Sequence, residues 1–133
     1  MRAECQCGRL SVDLPRSAAA TAACHCIYCQ RRTGSPFGVC AYYPADQITI
    51  NGKAKRFERP TANGGLVEWF FCPECGSSVC GTMSNQPTIA VVPVGAIADP
   101  DFQAPQISAW EQSMHRWVTM PSNIQHWSQG EAP

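Results

Sequence analysis

The chain has 133 residues, a length that suits one domain near the commonest size. Lys plus Arg number 10 and Asp plus Glu number 10, so the formal net charge is zero. Duplex nucleic acid calls for a strong basic excess, and spanning a membrane for a run of about 18 apolar residues; neither is present, so no nucleic-acid and no membrane partner is expected. Met1-Arg2-Ala3-Glu4-Cys5 carries no apolar signal segment, and the protein is expected in the cytoplasm.

A hydrophobic fraction of 44%, cut by 11 Pro and 10 Gly, predicts one core made of short elements, with residues 1–133 as a single domain. Residues 9–14 alternate polar and apolar, as a half-buried strand does, and Pro15 stops them. Residues 26–33 hold no breaker and end at Gly34, which predicts a short helix with a C-terminal glycine. Residues 37–43 read as a buried strand between Pro36 and Pro44, and 46–50 as another closed by the turn pair Asn51-Gly52. Residues 53–58 alternate again, Asn63-Gly64-Gly65 marks a loop, and 66–71 is strongly β-prone. Residues 79–83 and 89–94 complete the strands; 108–117 is read as a turn or short helix. Trp110, Trp117 and Trp127 in this tail are assigned to core or sheet cover. The fold class that follows is mainly β with one or two short helices.

Nine cysteines, an odd number, argue against a paired disulfide framework, and in a reducing compartment closely spaced cysteines point to metal or catalysis. Cys5-Gln6-Cys7-Gly8 and Cys72-Pro73-Glu74-Cys75-Gly76 each turn two sulfurs to one side of a loop, the glycine freeing the backbone to curl. Together they predict a closed four-thiolate zinc site that holds the fold. Cys24-His25-Cys26-Ile27-Tyr28-Cys29 supplies three thiolates, with Cys26 and Cys29 at helical i, i+3 spacing. Three ligands leave a fourth position for water or substrate, the pattern of a catalytic zinc. The other arrangements are a site closed by Cys40, Cys80, His25 or a distant histidine, or an empty thiol cluster. Cys40 and Cys80, inside strands, read as small buried hydrophobes; His115 and His126 lack ligand spacing. Arg31 and Arg32, just after Cys29, suit the carboxylates of an anionic thiol such as glutathione.

Taken in order, Cys5-x-Cys7-Gly8, Cys24-His25-Cys26-x-x-Cys29-Gln30-Arg31, Gly34-Ser35-Pro36-Phe37 and Phe71-Cys72-x-x-Cys75-Gly76 resemble the glutathione-dependent formaldehyde-activating enzyme family, which includes the centromere protein V type domains. The match runs from about residue 5 to residue 82. The resemblance implies an Mss4-like zinc-containing β domain. It implies a structural zinc on Cys5, Cys7, Cys72 and Cys75, and a catalytic, labile zinc on Cys24, Cys26 and Cys29. It further implies carbon–sulfur lyase chemistry on a small-molecule thiol or aldehyde, namely the adduct of formaldehyde with glutathione. A zinc-binding interaction module with structural metals only is the alternative. A thiol redox protein, which would need Cys40 or Cys80 activated, is a third reading.

Overall fold

The structure, a computed structural model, describes residues 1–130. It is mainly β, as expected, and its contacts gather into two compact units.

One unit comprises Met1–Ala19 and Ala41–Phe102. Strands β1 (Arg2–Glu4) and β2 (Ser11–Asp13) pair antiparallel, Ala3 opposite Val12. The chain then passes through β3 (Ala20–Cys24), helix α1 (Ile27–Thr33) and β4 (Gly38–Pro44), which runs from the other unit into this one. Strand β5 (Thr49–Asn51) adds to β2 with Ile50 opposite Val12. A one-turn helix at Ala45–Gln47 takes the start of the predicted strand 46–50, so only its second half pairs. Strands β6 (Lys55–Pro60), β7 (Leu66–Phe71), β8 (Ser78–Met83) and β9 (Ile89–Pro93) form successive antiparallel pairs. Helix α2 (Val94–Ile97) follows directly. Val12, Val79, Cys80 and Val92 of these strands are fully buried together with Leu10 and Tyr43; Val79 and Cys80 are successive residues, so β8 is covered on both faces.

Two features of β7 and β8 bear on the site. Gly81 stands opposite Trp69, and a Cβ there would lie 2.9 Å from the Trp69 ring, so the missing side chain gives the indole its place. The register then shifts between Phe70 and Phe71, a bulge that re-aims the chain just before Cys72.

The other unit comprises Ala20–Cys40 and residues 103–133, of which 103–130 are described. Here β3 pairs parallel with β10 (Ile107–Ala109), which pairs parallel with β11 (Gln125–His126). Within the predicted turn or helix at 108–117, strand β10 ends at Ala109 and a single helical turn covers Glu111–Ser113. Trp110 and Trp127 are half-buried, but Trp117 is 73% exposed, which corrects its assignment to the core. Its ring stands edge-on to His115, with centroids 6.4 Å apart.

Candidate metal centres

The first centre is built from two loops of the same design. Cys5 and Leu10 close one loop through Cys5 N–H to Leu10 O at 2.9 Å, while Leu10 N–H donates to Cys5 Sγ at 3.2 Å. Gly8, with φ +79°, turns the chain there. The second loop repeats this: Gly76 N–H donates to Cys72 O at 2.8 Å, Glu74 N–H points at Cys72 Sγ at 3.4 Å, and Gly76 has φ +78°. A left-handed residue closes each loop at low cost only when it is glycine. Gln6 N–H donates to Ser77 Oγ at 3.1 Å and ties the loops together.

The result brings the Sγ atoms of Cys5, Cys7, Cys72 and Cys75 all within 4.8 Å of one another. Cys5–Cys7 and Cys7–Cys72 are both 3.6 Å apart. Four thiolates around a tetrahedral ion with bonds of about 2.3 Å stand about 3.8 Å apart, so the spacing fits a metal ion. Cys5 and Cys72 are buried while Cys7 is exposed. Hydrogen bonds from the Ser77 side chain and backbone hold the Cys75 thiol down at about 5. N–H and O–H donors aimed at sulfur favour the thiolate form that a cation needs.

The second centre sits at the start of α1. Cys24 ends β3, and Cys26 is the N-cap of the helix, its Sγ accepting from Cys29 N–H at 3.3 Å. One helical turn carries Cys29 back to the same side. Gly34, with φ +66°, closes the helix as predicted, its N–H donating to Gln30 O at 2.8 Å. The Sγ atoms of Cys24, Cys26 and Cys29 lie within 4.8 Å of one another, and all three residues are half-buried. Cys24 and Cys29 hydrogen-bond the Cys26 sulfur, and with the backbone N–H groups of Cys29 and Tyr28 they pull it down to about 2. Hydrogen bonds with Cys26 and Cys29 push the Cys24 thiol up. Three soft donors form a set that could hold a metal ion with one position left over.

Cys40 and Cys80 are buried, as expected, and burial pushes their thiols up to about 12 and about 11. Arg31 lies exposed on α1. Arg32 is half-buried and its Nη2 donates to Cys40 Sγ at 3.7 Å, so its charge faces the thiols. Gly38 leaves room for it, since a Cβ there would lie 2.9 Å from that nitrogen. His25 is fully buried, its Nε2 2.9 Å from Ser108 Oγ and its ring tilted against Phe37 at 5.3 Å. His115 bonds Gln30 Oε1 at 2.9 Å, and Gln30 also donates to the carbonyls of His25 and Ser113. Ser108 and Glu111 were not singled out from the sequence, and Gln30 entered only as part of the family motif, with no role of its own. No local pattern marks their contacts, because His25 and Ser108 lie 83 residues apart and Gln30 and His115 lie 85 apart.

A mainly β protein with a four-thiol and a three-thiol cluster is what the fold and sites define. The family model described as glutathione-dependent formaldehyde-activating enzyme matches residues 1–113, and the chain belongs to that family. No curated protein matches the chain. Among solved structures, the chain resembles a Rhodobacter sphaeroides protein determined as a structural genomics target. The two are 17% identical with a TM-score of 0.59, over 96% of this chain and 99% of that one, which shows a shared fold.

Proposed function

We propose that this chain is a zinc-dependent enzyme of the carbon–sulfur lyase type. Its substrate is a small aldehyde–thiol adduct such as S-hydroxymethylglutathione. The observation that carries this reading is the half-buried three-thiol cluster at the N-terminus of α1, since three ligands on a tetrahedral ion leave its fourth position to substrate. Family membership supplies the substrate class. In the reaction the thiol sulfur bonds to the aldehyde carbon, the carbonyl π pair moves to oxygen, and the proton leaves sulfur and ends on that oxygen. The reverse step breaks the carbon–sulfur bond.

Zinc bound by Cys24, Cys26 and Cys29 would supply Lewis acidity and stabilise a thiolate at neutral pH. The chain's own groups set up the rest. Cys26 and the first N–H groups of α1 fix the geometry of the cluster. Arg32 places positive charge against the thiols, and Arg31 offers an exposed cation for a glutathione carboxylate. Cys5, Cys7, Cys72 and Cys75 hold the structural zinc. Residues 1–133 work as one domain, in the cytoplasm, on small molecules.

The interaction-module reading is favoured by one observation: Ile27 and Tyr28, in the first turn of α1, are 53% and 55% exposed. Exchange between formaldehyde and its glutathione adduct, followed by NMR with two zinc ions per chain, separates the two. The enzyme reading expects exchange faster than the uncatalysed rate, lost in Cys26→Ser. Exchange at the uncatalysed rate with both zincs in place would sink it in favour of the module.

A further inference from the structure

The backbone that links Cys24 to Cys26 is held by groups from outside the cluster. His25 O accepts from Gln30 Nε2 at 2.8 Å and from Ser113 Oγ at 2.8 Å. His25 N–H donates to Ala109 O at 3.0 Å. That N–H belongs to the Cys24–His25 peptide and that carbonyl to the His25–Cys26 peptide. Each peptide is a rigid plane, so anchoring both restricts the two backbone torsions of His25, which set how Cys24 stands relative to Cys26.

Counting hydrogens assigns each bond. The Gln30 amide has two, and two carbonyls take them, His25 O and, at 3.1 Å, Ser113 O. Its Oε1 is then the acceptor for His115 Nε2 at 2.9 Å. The Ser113 hydroxyl has one hydrogen, and His25 O at 2.8 Å is nearer to it than Trp110 O at 3.2 Å. Gln30 and Ser113 thus brace each other as well as the carbonyl they share.

Ser113 ends the turn Glu111–Ser113, and the tail backs that turn. Trp110, Glu111 and Gln112 donate their backbone N–H groups to Gln129 O, Trp127 O and Ser128 O at 3.1, 3.0 and 3.2 Å. Residues 127–129 lie beyond the segment 1–113 matched by the family model, so this support draws on sequence outside that match.

We propose that Gln30 and Ser113 are positioning residues of the three-cysteine cluster, holding the Cys24–Cys26 link so that the three sulfurs converge on one metal ion. The inference rests on the metal half of the proposed function, that Cys24, Cys26 and Cys29 hold an ion, and needs no lyase step. Partners that orient ligands without touching the metal are worth about 10- to 100-fold in metal affinity.

Cobalt(II) titration of the full-length protein tests this, because cobalt–thiolate absorption bands follow ligand number and geometry. Cys26→Ser supplies the spectrum of the four-thiol cluster alone, so the two sites are read separately. Wild type should bind two cobalt ions. Gln30→Met and Ser113→Ala should each weaken the three-cysteine site by about tenfold and shift its bands, and the double variant should weaken it further. The four-thiol site and the far-UV circular dichroism should not change. Ser113→Thr, which keeps the hydroxyl, should bind like wild type. Wild-type affinity at the three-cysteine site in the double variant would overturn the positioning role. So would parallel weakening of both sites in Gln30→Met, the mark of a merely structural change. Gln30→Met keeps the Ser113 bond, and if the double variant does not fold, wild-type affinity in Gln30→Met overturns the role instead. A wild type that binds only one cobalt ion would overturn the inference together with the metal reading beneath it. Selective weakening, in a protein that leaves formaldehyde–glutathione exchange at the uncatalysed rate, would support the positioning role and remove the lyase reading alone.

Discussion

Cysteine 26 shows how one atom serves two levels of structure. Its sulfur is a cluster member and the N-cap of α1, accepting Cys29 N–H at 3.3 Å. Serine is among the best N-caps, so Cys26→Ser keeps the helix while removing a soft ligand. The expected variant is folded, with a thermal midpoint near that of wild type and one metal ion fewer. Cys72, buried and bonded into its knuckle, has no such substitute. Cys72→Ser should remove most of the roughly 10 kcal/mol that a structural zinc contributes to a small domain, and far-UV circular dichroism should report an unfolded chain. The cysteines were legible because ligand spacing is local: each loop needs only three or four residues to turn two sulfurs together. The Glu111–His126 contact was not, since its members meet through a tail that returns on itself. That contact makes a prediction of its own. The pKa of His126 is raised by Glu111, while that of Glu111 is lowered by Ser108 and His126 in spite of its partial burial. A raised histidine contributes stability that is complete below its ordinary pKa of about 6.5 and is lost as pH rises through the folded value. A lowered carboxyl contributes above about 4.3 and is lost as pH falls through the folded value. Wild type should therefore lose stability relative to His126→Gln as pH is raised above neutrality, measured by denaturant midpoints; parallel profiles would remove the pair from the account.

At the scale of elements, strands with a strong residue pattern declared themselves. Leu66–Phe71 is the predicted strand to the residue, because β-branched and aromatic side chains fit a pleated, half-buried surface. Helix α1 differs from its prediction by one residue, the cap itself. What could not be read were strands whose residues carry no β preference. Arg2–Glu4 and Ala20–Cys24 are strands because a partner is present, β2 in one case and β10 in the other. The parallel pairing of β3 with β10 joins segments more than 80 residues apart, and no local pattern announces such a partner. Turns were plainer. Gly52 follows β5 with φ +101°, and a Cβ there would stand 2.2 Å from the Arg9 carbonyl oxygen. Gly52→Ala meets backbone rather than a movable side chain and should cost about 3 kcal/mol, read as a shift in denaturant midpoint. An unshifted midpoint would mean that the β2–β5 pairing does not depend on that close approach.

For the molecule as a whole, the three features of the sequence that mattered most were zero net charge, an odd number of cysteines and a short chain. They point away from nucleic acid and disulfides and toward metal. The family match over residues 1–113 agrees with that direction, and the thiol spacings give it physical form. The two clusters should behave as two kinds of site. The four-thiol cluster, closed by knuckle N–H groups, should exchange a bound metal slowly. The half-buried three-thiol cluster should admit a competing ligand directly. Metal per chain, measured on freshly purified protein before and after mild chelation in the presence of glutathione, tests this most directly. The account predicts close to two zinc ions, one released early with the fold intact and one retained until the protein unfolds. A single tightly held zinc that cannot be raised to two by added metal, or two zincs released together with the fold, would contradict it.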